Sequence, residues 1–89
     1  MKAIITVIGK DMTGIIYRVS KILFEANINI LDISQTIMQD IFTMMTLVDI
    51  SQPSIPFEEL QKQLSLLGGE LGLSIQVQHE DIFNSMHRI

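Results

Sequence analysis

Asp11 lies in the stretch Ile8-Gly9-Lys10-Asp11-Met12-Thr13-Gly14, where a carboxylate, a thioether and a hydroxyl stand between two glycines. The residues before it, Ala3 to Ile8, form a nearly continuous apolar run, and those after it have helical apolar spacing. The stretch is therefore a strand-to-helix turn. Main-chain N–H groups at a helix start, with the positive end of the helix dipole, attract an anion. Asp11 would repel a simple anion but would hold an ammonium group. Together they suit a zwitterion, with its carboxylate on the N–H groups around Gly14 and Ile15 and its ammonium on Asp11. Gly9 and Gly14 allow positive φ and close backbone approach, and Met12 offers an adaptable apolar wall. The plainer alternative is a turn that binds nothing, with Thr13 or Asp11 capping the helix.

Other residues with possible chemistry are weaker. His79 and His87 stand eight apart with no cysteine nearby, so exposed histidines are a better reading than a metal site. Glu58-Glu59 falls at a helix start, where it favours the dipole and is no catalytic dyad. Gly68-Gly69-Glu70-Leu71-Gly72 lacks the Lys-Ser/Thr of a phosphate loop. Neither a metal nor a cofactor is expected.

Composition narrows the function classes. The 89 residues make one domain, with 47% hydrophobic residues, a net charge of −4 and no cysteine. The mean hydropathy of +0.37 is high for so small a domain and implies apolar surface shared between subunits. Six scattered Lys and Arg give no basic stripe, so nucleic acid is not an expected partner. No run approaches the ~18 apolar residues of a membrane span. The absence of cysteine and of a secretory pattern at Met1-Lys2-Ala3 suits a cytoplasmic protein.

The elements that must position the turn can be read from periodicity. Strands are expected at 2–8, 29–38, 41–50 and 73–79, and helices at 14–26 and 56–71. The second strand alternates Leu31, Ile33, Gln35 and Ile37 against Asp32, Ser34 and Thr36, and Gln39-Asp40 makes a tight turn into the third. Pro56 opens the second helix, whose stripe is Phe57, Leu60, Leu64, Leu67 and Leu71, and Gly72 stops it. The order βαββαβ predicts an α+β, ferredoxin-like sandwich: a four-stranded antiparallel sheet, order 4-1-3-2, with two helices on one face. The other face, with Ile4, Ile8, Met45 and Leu47, needs cover. Residues 1–80 form the domain. Residues 81–89, with Ile82, Phe83, Met86 and Ile89 at one-turn spacings, read as a short amphipathic segment that packs on the domain or on a partner subunit. The second strand is a long edge with only Asp32 charged, so a homodimer is expected.

Ile8-Gly9-Lys10-Asp11 through Gly14-Ile15, then Asn27-Ile28-Asn29-Ile30-Leu31-Asp32-Ile33-Ser34-Gln35, resemble an ACT domain. Phe42-Thr43-Met44, Leu47-Val48-Asp49 and the tail from Asp81 are similar to the small stand-alone ACT proteins, a group of uncharacterised function. The resemblance extends to ACT modules of the glycine-cleavage-system repressor and formyltetrahydrofolate deformylase. It implies a regulatory module that dimerises, binds an amino acid near the interface at the first strand–helix turn, and acts on a separate protein. Asn29, opening the second strand, would offer its amide to the ligand carboxylate across that interface, or else satisfies the helix-to-strand turn. Two other families compete. Gly14-Ile15-Ile16-Tyr17-Arg18 looks like an acylphosphatase cradle, but Asp11 opposes a phosphate there. An RNA-recognition fold shares the strand order, but Ile41 to Leu47 carries one Phe and no charge. A structural interaction module without a ligand is the remaining alternative. No enzyme activity is expected.

Overall fold

In the computed structural model, residues 1–10 and 14–81 are described. The elements are β1 (Lys2–Gly9), α1 (Ile15–Glu25), β2 (Asn29–Met38), β3 (Ile41–Asp49), α2 (Phe57–Leu71) and β4 (Ser74–His79). They form one antiparallel sheet in the order β2-β3-β1-β4, the expected sandwich. Alternation explains the layering, since successive strand residues point to opposite faces. Ala3, Ile5 and Val7 of β1 and Phe42, Met44, Thr46 and Val48 of β3 are buried beneath the helices. Val19 and Leu23 from α1 and Leu60 and Leu64 from α2 close over them. On the opposite face Ile4, Met45 and Leu47 are half-buried and Ile8 is exposed. The segment expected to cover that face lies, from Ile82 onward, outside the described residues.

Two departures from simple periodicity have physical causes. In β2, Ile30 pairs with Val48 but Asp32 pairs with Leu47, so Leu31 is an extra residue with no partner. A strict alternation would put Ile30 and Ile33 on opposite faces. The bulge shifts the phase by one residue and turns both toward the helix side. Leu31 therefore does not share a continuous alternation with Ile33, Gln35 and Ile37 as expected. The second departure is Ile16, which stands at helical spacing with Val19 and Leu23 in the sequence but is exposed, because the core side is filled by Ile15, Val19 and Leu23.

α1 packs toward β2 and α2 toward β4, so each helix guards one edge of the sheet differently. Gln61 of α2 donates a hydrogen bond to the Val77 carbonyl of β4 at 3.2 Å. All of β2 except Ile30 is exposed. Among the described residues, no helix is long and apolar enough to cross a membrane.

Candidate functional site

The turn after β1 is shaped by two glycines for different reasons. A Cβ on Gly9 would fall 1.9 Å from Leu73 Cδ2, so Leu73 fills the space a side chain would need. A side chain at 9 would have to displace Leu73, which is a reason for glycine there without any ligand. Gly14 has φ +75°, a left-handed conformation that side chains adopt at a cost, and no described residue stands within 4 Å of where its Cβ would be. It is the N-cap of α1, and it has no side chain to satisfy the first N–H groups of the helix. The N–H groups of Ile15, Ile16 and Tyr17 thus start a helix with no acidic residue in its first turn. The Ile15 side chain is buried, so only its main chain can face a ligand. Asp11, Met12 and Thr13, and with them the expected ammonium contact and side-chain cap, lie outside the described residues.

Asn29 is at the other end of the sheet. It pairs with Asp49, which is on the level of Lys2, whereas Gly9 is level with Phe42. Seven strand steps of about 3.3 Å separate the two ends, roughly 23 Å. One chain therefore does not bring Asn29 to the turn. Around Asn29 is a polar depression of about 370 Å³ lined by Asn27, Asp49, Ser51 and Gln52. Asn27, at φ +58°, donates to the Gln52 carbonyl at 2.9 Å and ties the α1–β2 turn to the loop after β3. The Ser51 hydroxyl and then its main-chain N–H donate to Asp49, which holds that carboxyl below the usual carboxylate range. Sequence reasoning missed this Asp49–Ser51 pair, although an aspartate two residues before a serine at a strand end signals such a turn.

The remaining candidates have structural partners. Arg18 is bound to Glu70 of α2 at 3.0 Å, a helix-to-helix ion pair that draws its guanidinium away from a phosphate cradle at the turn. His79 stacks on Phe57 with ring centroids 4.2 Å apart. His87 lies outside the described residues, among which no three His, Cys, Asp or Glu are grouped to hold a metal.

Beside the β2 edge is an apolar surface that sequence reasoning saw only in part. Ile33 and Ile37 pair with Thr46 and Phe42, so they face the helix side, yet Ile37 is 58% exposed. Ile16, Ser20 and Phe24 run at one-turn spacing along α1, away from Arg18 and its α2 partner. Phe24 is 83% exposed and lines a depression with Asn29.

Known proteins share this architecture over most of the chain. Residues 2–78 match the family model of the ACT domain. A UPF0237 protein of Clostridium acetobutylicum is 58% identical over 89 residues, all of both chains. The solved ACT domain protein from Streptococcus pneumoniae is 42% identical with a TM-score of 0.80, over 93% of each chain. A protein assigned as a glycine cleavage system transcriptional repressor is 25% identical with a TM-score of 0.72, over 86% of this chain and 44% of its own. A formyltetrahydrofolate deformylase from Pseudomonas putida, at 14% identity and a TM-score of 0.76, shares the fold.

Proposed function

Because this chain belongs to the ACT domain family, we propose that it is a regulatory module that senses an amino acid or a related small metabolite at a homodimer interface and acts on a separate partner protein. The observation that carries the reading is the pairing of an open β2 edge with a site split between the ends of the sheet. Among the described residues no strand pairs with the outer side of β2, and Ile37 and Phe24 stand exposed beside it. Such an edge is a liability unless another strand takes it up. Two β2 strands related by a two-fold axis would run antiparallel, with the Asn29 end of one beside the Met38 end of the other. That is the end at which the partner's β1 reaches Gly9. In this arrangement the Gly9–Gly14 turn, with Asp11, Met12 and Thr13, receives the ammonium and carboxylate, and Asn29 of the partner subunit adds an amide. The chemistry asked of these residues is binding, not catalysis.

Thermal melting against a panel of free amino acids tests the ligand. At 100 times its dissociation constant, a ligand adds about 2.7 kcal/mol, which raises the midpoint by roughly 10–20 °C in a domain of this size. A flat response to every amino acid and related metabolite would leave a structural interaction module. Light scattering tests the dimer separately, and a monomer at micromolar concentration would remove the interface.

A further inference from the structure

Phe24, near the C-terminal end of α1, is the most exposed large apolar side chain among the described residues. Phe24, Asn27, Ile28 and Asn29 line one open depression of about 340 Å³, so the ring and the Asn29 amide share a hollow. At the other end of α1, Ile16 comes two residues after Gly14 and is also exposed. Resting on the reading of a ligand site shared between β2-paired subunits, we propose that the partner subunit's Phe24 walls that site and selects an amino acid with an apolar side chain.

Symmetry carries the step. A two-fold axis that sets two edge strands antiparallel stands perpendicular to the sheet, so both helix layers stay on one face. The two α1 helices then run antiparallel on either side of the axis. The stripe of Ile16, Ser20 and Phe24 lies on the side of α1 turned away from α2 and toward the β2 edge. Reversal sets the Phe24 end of one stripe beside the Ile16 end of the other, with Ser20 nearest the axis. The same reversal brings the partner's Asn29 to the Gly9–Gly14 turn, and the ring arrives with the amide because the two share a hollow. The head group of an amino acid at the turn is then met by the amide, and its side chain by Ile16 and the partner's Phe24. The stripe carries no charge. A polar side chain would lose water there with little to replace it, whereas a hydrocarbon one gains by burial. Apolar walls around a few polar groups are the usual construction of a small-ligand site.

Titration calorimetry of the full-length chain tests the wall, with dimer size checked by light scattering in the same buffer. The probes are free phenylalanine and two pairs matched in size but not in polarity, leucine with asparagine and valine with threonine. The apolar member of the better-bound pair should bind about tenfold tighter or more. In Phe24→Ala that ratio should fall to about threefold or less. Phe24→Leu keeps an apolar contact between the helices but shortens the wall, so preference should move about fivefold from leucine toward phenylalanine. Should Phe24→Ala separate the subunits, the shift in Phe24→Leu decides alone. A parent that binds only polar or charged amino acids would overturn the wall and leave the shared site standing. So would selectivity unchanged in a dimeric Phe24→Ala, or in Phe24→Leu. If no amino acid binds the parent at all, the sensing reading and this inference fall together.

Discussion

At the scale of single residues, the turn shows how one residue type serves unrelated purposes. Gly9 is glycine because Leu73 occupies its side-chain space, and Gly14 because its backbone is left-handed. Gly9→Ala forces Leu73 to turn away and should cost about 1–3 kcal/mol, as overpacking does. Gly14→Ala meets no neighbour among the described residues and should cost about 1–2 kcal/mol through backbone strain. Denaturant unfolding separates them when combined with Leu73→Ala, which should relieve the first variant and leave the second unchanged. Thr46 is a different case. Its hydroxyl is buried with no hydrogen-bond partner among the described residues, although threonine suits the strand. Thr46→Val keeps the shape and removes the unsatisfied group, so it should raise stability by about 1 kcal/mol. Asp49 adds a pH dependence. Its carboxyl is depressed by Ser51, so its contribution is present above the ordinary carboxylate range and is lost as pH falls through the lower folded value. Ser51→Ala should flatten the acid limb of the stability curve measured between about pH 5 and 2.

At the scale of elements, what was legible in the sequence divides by the range of the interaction that decides it. The apolar run of β1, the leucine stripe of α2 and the stop at Gly72 are local patterns, and each element appears within a residue or two of its expected bounds. The bulge at Leu31 depends on pairing with β3, so a reading of β2 alone put Leu31 in phase with Ile33. The partner of Arg18 was hidden for the same reason, since Glu70 is 52 residues away. The candidate turn was legible as a turn because glycines and apolar periods mark it. The split between that turn and Asn29 followed only from the strand register. Edge behaviour is likewise an element property. Gln61 occupies one β4 carbonyl, whereas β2 is the longer and more exposed edge. Ile37→Lys puts a charge on that edge without touching the core and should convert a dimer to a monomer in light scattering while the melting midpoint of the monomer stays within a few degrees. Ile30 is a poorer position for such a test, because it packs against the core.

At the scale of the whole molecule, the proposed site makes a demand that no single-chain site makes. Each of the two sites in an antiparallel β2 pair takes its turn from one subunit and its Asn29 from the other. Asp11→Ala damages the turn side of a site, and Asn29→Ala damages the amide side. A homodimer of either variant has both sites impaired. A heterodimer of the two has one site with both lesions and one site with none, because the intact turn comes from the Asn29→Ala chain and the intact amide from the Asp11→Ala chain. Equal random mixing makes about half of the dimers heterodimers, so roughly a quarter of the parent binding capacity should return, at parent affinity. Titration calorimetry of the mixed and unmixed variants, refolded together, with the amino acid that shifts the melting curve, measures both numbers. If each site were built within one chain, the mixture would bind no better than the average of its components. Parent-affinity binding that appears only on mixing therefore has no source other than a shared site, and its absence in a mixture verified as heterodimeric would break the link between dimer and ligand while leaving the sandwich untouched.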